Sequence, residues 1–400
     1  MTEFVQKRKF LITAFLLAMT FCNFVMPLQA ISSLHKGYQD FTIYYTAGLL
    51  LRNGQASDLY NLAAQYRMQL TFAPHVPIRK GPLVYNHPPF EAVLFVPFTL
   101  LSYWPAYLLW TALNLVMLTA SVMILRKQFS EIAAVCPLFL GLGTTAFFPA
   151  VLGIFQGQDV ILLQLLFVLA MVSLDRGRDA AAGAFLAAGL FLPHLIVPVV
   201  VLLAAWRWRV LLGFAPVALF LGAISVAIMG WGGPLDYVRF VFHVEKTGSG
   251  SYGPQVVPNL RGLIADLPGL SASGPWVALL IVASSAAVSL MALRRIRTGR
   301  DSTLFSCSLA ALTAILVSFH ALSYDLTLLL PMALFLLSRA IGVTGTKIDA
   351  PTVLLAILLF LPPLYVFLLL AVDRFFLFSW ILLALYLRLV LTPAPAEVPA

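Results

Sequence analysis

The stretch GYQDFTIYYTAGLLLRNGQASDLY, residues 37–60, follows the first long apolar run and carries Asp40, the first carboxylate the chain presents beyond that run. An acid just past the end of a membrane helix stands where water, lipid headgroups and protein meet. Behind it Tyr44, Tyr45, Leu49 and Leu50 recur at helical spacing, which predicts an amphipathic helix lying in the interface. Taken singly, each of these residues also suits a solvated linker with an interfacial aromatic belt. The polar motifs elsewhere in the chain lift Asp40 above that plainer interpretation.

Working outward, the composition bounds the class. The chain has 400 residues, of which 61% are hydrophobic and 10% charged, and its mean hydropathy is +0.95. A soluble domain carries about a quarter charged residues, so this is an all-α polytopic membrane protein, with roughly 20 apolar residues needed per crossing. The segments are apolar all round, unlike the alternating strands of a barrel. The net charge of +9 is no nucleic-acid footprint, because Lys and Arg fall mostly in short connections where they set orientation. Cys22, Cys136 and Cys307 lie singly in apolar segments and suggest neither a disulfide framework nor a metal cluster.

Lys7, Arg8 and Lys9 precede an apolar run to about Ala30. The run is long enough to span, and Leu28 is too large for the −3 position of a signal-peptidase site ending at Ala30, so a retained first helix with a cytoplasmic N-terminus is expected. Residues 31–88 are too polar to cross and form a large first external loop ending in VYNHPPFEAV, whose paired prolines suit a first helical turn. The run from Phe90 to Leu101 is short for a span, whereas Trp104 to Leu125 crosses to Arg126 and Lys127.

Ile132 to Leu152 then goes out, GIFQGQD turns outside, and Val160 to Leu174 returns to Arg176 and Arg178. The segment from Ala180 to Ala205 lies between two basic clusters, which predicts a helical hairpin or re-entrant pair with Pro193 and His194 at its turn. Val210 to Met229 leads to a second external loop, residues 231–275, rich in Gly, Pro and Ser and expected to be mobile. Trp276 to Leu293, Leu304 to Phe319, Leu326 to Leu337, Val353 to Ala371 and Phe375 to Leu391 complete about a dozen crossings, with both termini inside. Residues 1–391 thus form one membrane domain, and 392–400 a disordered tail.

This topology brings Asp40, His87, Gln158, Asp159, His194, His320, Tyr324 and Asp325 to one face, the external one. A His beside a Pro break at membrane depth is costly unless it faces a polar cavity or the protein interior. Any one of these motifs also fits a capped or solvated turn; their convergence on one side marks a site. No Walker A loop, HExxH, Cys/His cluster or GxSxG elbow is present, so neither a metal nor another cofactor is expected.

The series DFTIYYTAG, GQASDLY, YNHPPFEAVLFVPFTLLSYWPAYLLWTALN, GQDVILLQLL, AGAFLAAGLFLPHLIVPVVVLLAAWRWR and HALSYDLTLLLP resembles the polyprenol-phosphate-mannose-dependent mannosyltransferases of glycosyltransferase family 87, in the same order, over roughly Asp40 to Pro331. The resemblance implies a C-type glycosyltransferase bundle that takes a sugar from a polyprenyl-phosphate donor to a glycolipid or glycan acceptor on the external face of a bacterial plasma membrane.

Asp40 matches the acid taken as catalytic base in such enzymes. Tyr85, His87 and Pro88 match the aromatic-x-x-Pro start of the next helix; Gly157 and Gln158 match a Gly-Gln pair; His320, Tyr324 and Asp325 match a late external turn. One departure is Leu192-Pro193-His194, where many relatives carry Lys-Pro-His, so that His194, Arg261 or another external Arg would have to meet the donor phosphate. Gln158 and His320 are expected beside these on the donor, and Tyr44, Tyr85, His87, Tyr324 and Asp325 on the acceptor or sugar.

One displacement assisted by one base predicts inversion, with cationic groups around the leaving phosphate. The prenyl chain would lie in an apolar groove near Phe90 to Trp104, and the second external loop would close over the acceptor. Two other classes stay open from sequence: a secondary transporter with broken helices around a midplane site, and a non-catalytic scaffold that binds polyprenyl lipid.

Overall fold

The computed structural model describes residues 3–28, 37, 39–73, 81–247, 253–267, 274–298, 301–342 and 349–391. Among them all regular structure is helical. Four helices are long and apolar enough to cross a membrane: the Gln6–Val25 part of the first helix, Tyr103–Gln128, Val210–Met229 and Pro275–Arg297. Two bent pairs bring the number to six if each counts as one span. The other apolar helices are 10–17 residues long, short of the ~20 residues of a perpendicular crossing. Length and composition therefore qualify four to six spans, against the dozen expected.

Both bends fall where a single crossing was expected, and both have a proline behind them. Phe139–Ala146 meets Phe148–Gln156 at 61° through an extended Phe147, with Pro149 opening the second helix. Ala350–Leu358 meets Pro362–Ala371 at 62°, and Leu361, directly before Pro362, leaves helical geometry at φ −96°, ψ 87°. The Leu192-Pro193 break acts likewise: it ends the stretch after Asp179–Ala188 and starts Pro193–Trp206.

The long helices divide into lipid-like and protein-like faces. Val210–Met229 buries only Val210 and Ser225, and Leu219 and Phe220 are exposed, as suits a helix whose outer face meets acyl chains. Thr303–Val317, by contrast, is buried on nearly every side, so it is the central post of the bundle. The N-terminal helix packs onto Phe139–Ala146, where Asn23 Nδ2 donates to the Thr145 carbonyl at 2.9 Å and the Thr20 and Thr145 hydroxyls lie 3.0 Å apart.

Where lipid is the solvent, close packing replaces hydrophobic drive. Asp179–Ala188 and Val210–Met229 approach so closely that a Cβ at Gly183 would lie 1.8 Å from the Val210 carbonyl oxygen, and one at Gly213 would lie 1.7 Å from that of Ala180.

The two polar stretches expected as external loops are largely folded. Phe41–Arg52 is buried from Phe41 to Gly48 and at Leu50. It is therefore enclosed by protein and does not lie in a lipid interface. Its ring layer includes Tyr44 stacked on Phe95 at 4.7 Å and Tyr45 edge-on to Tyr103 at 5.5 Å. Among its described residues the second stretch contains the helix Gly233–Thr247 and the short turn Leu260–Ala265. Asn259 fixes it by donating to the Ser318 carbonyl at 2.6 Å and capping Gly262 N–H. The tail 392–400 lies outside the described residues.

Candidate active site

Three elements hold the centre of the site. Asp40 stands at the N-cap of Phe41–Arg52 but makes no side-chain cap, which leaves its carboxylate to turn towards Gln158. Gln158 Nε2 donates to Asp40 Oδ2 at 2.7 Å, and Tyr44 Oη donates to Gln158 Oε1 at 2.6 Å. The tyrosine hydroxyl thus fixes which way the amide faces: its oxygen is taken, so its NH₂ meets the carboxylate. The Asp40 backbone N–H donates to Gln156 Oε1 at 3.3 Å.

The loop that presents Gln158 is built by Gly157, left-handed at φ 65° as the C-cap of Phe148–Gln156. A Cβ there would also lie 2.8 Å from Phe41 Cβ. One face of Tyr103–Gln128 then binds the loop's backbone. Tyr107 Oη donates to the Phe155 carbonyl at 2.7 Å, Trp110 Nε1 to that of Gly157 at 2.9 Å, and Asn114 Nδ2 to that of Gln158 at 3.2 Å. Positions 107, 110 and 114 share a helical face, so the three carbonyls are read by one stripe.

The approach to His87 is held by glutamines. Gln65 and Gln69, one turn apart on Leu62–Phe72, bond the extended backbone at Tyr85 and Leu83 through both donor and acceptor. Tyr85 is fully buried, donates to the Pro88 carbonyl at 2.9 Å, and stacks its ring on His87 at 5.6 Å.

Asp40, His87, Gln158, His194, His320, Tyr324 and Asp325 all line one cavity of about 890 Å³. Leu192, Tyr237 and Val241 contribute to the same wall. His194 Nε2 and Asp325 Oδ2 are 4.0 Å apart, the His194 ring faces those of Phe319 and His320 at 5.7 and 6.0 Å, and Asp325 Oδ2 accepts from Leu322 N–H at 2.7 Å. Tyr44 and Tyr85 do not line the cavity; they stand behind it, orienting Gln158 and supporting His87. Arg261 is also outside the lining, with Nη1 donating to the Phe319 carbonyl at 2.6 Å. No described residue lining the cavity is Lys or Arg, and the imidazoles in its lining are His87, His194 and His320.

A second polar group lies against this wall. His87 Nδ1 is 2.9 Å from Glu91 Oε2 and 3.7 Å from Asp159 Oδ2. All three residues lie outside the long apolar helices. Burial raises the Glu91 carboxyl to about 8, and burial with the neighbouring Glu91 charge raises Asp159 well above the usual carboxylate range. Burial lowers His87. Glu91 escaped the sequence analysis, although a lone acid four residues after His87 in an apolar helix was a signal.

The profile of glycosyltransferase family 87 matches residues 85–319, more than half of the chain. The chain belongs to glycosyltransferase family 87. The match contains His87, Gln158, His194 and Arg261, while Asp40, His320, Tyr324 and Asp325 fall outside it and join the site through the fold. No curated protein and no solved structure matches the chain. As a family 87 protein with membrane-spanning helices it is a membrane glycosyltransferase, and a sugar donor and an acceptor are its partners. A transporter is set aside by that membership.

Proposed function

We propose that this family 87 chain transfers a hexose, mannose first among them, from a polyprenyl-phosphate donor to a glycolipid or glycan acceptor at the external face of a bacterial plasma membrane. The observation that carries the proposal is the meeting of Asp40 with the three histidines around one cavity. In the step proposed, an acceptor hydroxyl oxygen bonds to the anomeric carbon as the bond from that carbon to the phosphate oxygen breaks. The hydroxyl proton goes to Asp40, and the electron pair leaves with polyprenyl phosphate. A single displacement inverts the anomeric centre.

Asp40 suits the base because Gln158, locked by Tyr44, holds one of its oxygens at 2.7 Å. That contact fixes the direction in which the carboxylate faces the cavity, as a base in the step requires. His194 and His320 are the groups proposed to meet the phosphate. They line the same cavity as Leu192, the position at which the family resemblance would place a Lys. The topology proposed to accompany this chemistry is a C-type bundle of about a dozen crossings, in which the shorter helices cross as tilted or broken spans.

Purified protein supplied with a radiolabelled polyprenyl-phosphate mannose and a lipid acceptor should form a labelled product of inverted anomeric configuration, read by NMR. Transfer from a nucleotide sugar alone, or a retained configuration, would overturn the donor or the mechanism respectively.

A further inference from the structure

His87, which lines the cavity, forms a buried polar cluster with Glu91 and Asp159 behind it, and each comes from a different part of the chain's local structure. His87 ends the extended approach, Glu91 lies in the first turn of Pro89–Phe95, and Asp159 is the N-cap residue of Val160–Asp175. One ligand atom from each lies within 4.8 Å of the others.

The three are 9%, 2% and 1% exposed, and they are poorly satisfied. His87 Nδ1, Glu91 Oε1 and both oxygens of Asp159 are buried with no hydrogen-bond partner. Glu91 Oε2 lies 3.5 Å from Tyr85 Oη and 2.9 Å from His87 Nδ1, and the Glu91 and Asp159 carboxyls are within reach of one shared hydrogen bond. The His87 ring bonds the Phe191 carbonyl, which leaves Nδ1 turned to the two carboxylates. Among the described residues, the leading charges on Asp159 are those of Glu91, His87 and Asp325. Buried carboxylates in such a setting are paired, protonated or bound to metal.

One proton cannot serve all three groups: on Glu91 Oε2 it would reach His87 Nδ1 at 2.9 Å and leave Asp159, and between the two carboxyls it would leave Nδ1. A cation takes one lone pair from each of the three residues. The spacing suits it: for bonds of about 2.1 Å, adjacent ligands of a six-coordinate ion are about 3.0 Å apart and opposite ones about 4.2 Å. The separations of 2.9 and 3.7 Å fall in or beside that interval. We propose that His87, Glu91 and Asp159 bind one divalent transition ion, Mn²⁺ or Zn²⁺ in preference to Ca²⁺, because an imidazole with two carboxylates matches that class. The ion ties the His87 turn to the loop that presents Gln158, and so positions Asp40 from behind without touching substrate. The site was not expected from the sequence, which has no spaced metal motif.

The test uses the full-length purified protein, stripped with a chelator, desalted and titrated separately with MnCl₂, ZnCl₂ and CaCl₂. About one equivalent of Mn²⁺ or Zn²⁺ should remain after desalting, measured by elemental analysis, and the melting temperature should rise with either ion. Bound Mn²⁺ should show nitrogen coupling in pulsed electron paramagnetic resonance, and His87→Ala should abolish it. Glu91→Gln and Asp159→Asn, close in shape, should each weaken binding at least tenfold.

Binding below about a tenth of an equivalent by the wild-type protein, a preference for Ca²⁺, or equal binding by wild type and both carboxylate variants would overturn the site. Should the variants fail to fold, the wild-type stoichiometry and nitrogen coupling decide alone. Neither readout requires sugar transfer, so the site can fail while the proposed reaction stands, and the reverse.

Discussion

Asp40→Asn is the perturbation that bears most directly on the chemistry. The amide keeps the shape of the carboxylate, and its oxygen can take the place of Oδ2 opposite Gln158 Nε2, where the bond is 2.7 Å. What changes is charge: a hydrogen bond to a charged group, about 1.5–3 kcal/mol, becomes a neutral one of about 0.5–1.5 kcal/mol. Folding should therefore weaken by about 1 kcal/mol, and the Tyr44–Gln158 bond at 2.6 Å holds the partner amide in place. The rate should fall far more. Loss of a general base is worth roughly 10²–10⁴, about 3–5 kcal/mol of activation free energy.

The assay is transfer of radiolabelled mannose from polyprenyl phosphate by purified protein, beside binding of the unlabelled donor. Asp40→Asn should bind and not transfer. Asp58→Asn is the control, since Asp58 lies on the same stretch in the short helix Ala56–Asp58 and is absent from the cavity wall; it should keep most activity. An unaltered rate in Asp40→Asn would refute Asp40 as the base. A dead Asp58→Asn with an active Asp40→Asn would leave the family assignment intact and move the chemistry to the other acid.

Tyr44→Phe removes the hydroxyl that orients Gln158, so kcat should fall about tenfold with KM unchanged; a change in KM alone would put Tyr44 on substrate. His194→Ala should weaken donor binding by about 1.5–3 kcal/mol, about ten- to a hundredfold in Kd, while thermal unfolding changes little; unchanged affinity would assign His194 to structure. Gly213→Leu places a side chain where a Cβ already lies 1.7 Å from the Ala180 carbonyl oxygen, so it should cost at least 1–3 kcal/mol and sharply reduce folded yield; normal yield would show that the two helices separate readily. Cysteine at Ser57 should react with an impermeant thiol reagent in intact cells and cysteine at Thr298 should not, and the reverse pattern would remove the external site.

Much of the architecture followed from composition. With 61% hydrophobic residues and 10% charged, the chain had to satisfy its backbone in helices, and the break at Pro193 was legible in the residues, because proline disfavours helical geometry just before itself, whereas the bend before Pro362 was not expected. The stretch around Asp40 could be singled out because carboxylates are rare in so apolar a chain. The resemblance to family 87 rested on motif order, which is a property of sequence, and the profile match over residues 85–319 agrees with it.

Tertiary structure decided what no local pattern carries. Asp40 and Gln158 are 118 residues apart, and His87 and Asp159 come together across a helix boundary; side chains so separated meet only when the bundle closes. The enclosure of Phe41–Arg52 was likewise invisible, because a helix with Tyr44, Tyr45 and Leu50 on one side has the same periodicity in a lipid interface as against a wall of protein rings. The sequence determined which residues could do chemistry in an apolar chain. Packing determined which of them share a cavity, since burial and distance depend on all the elements that surround a side chain and not on its neighbours along the chain.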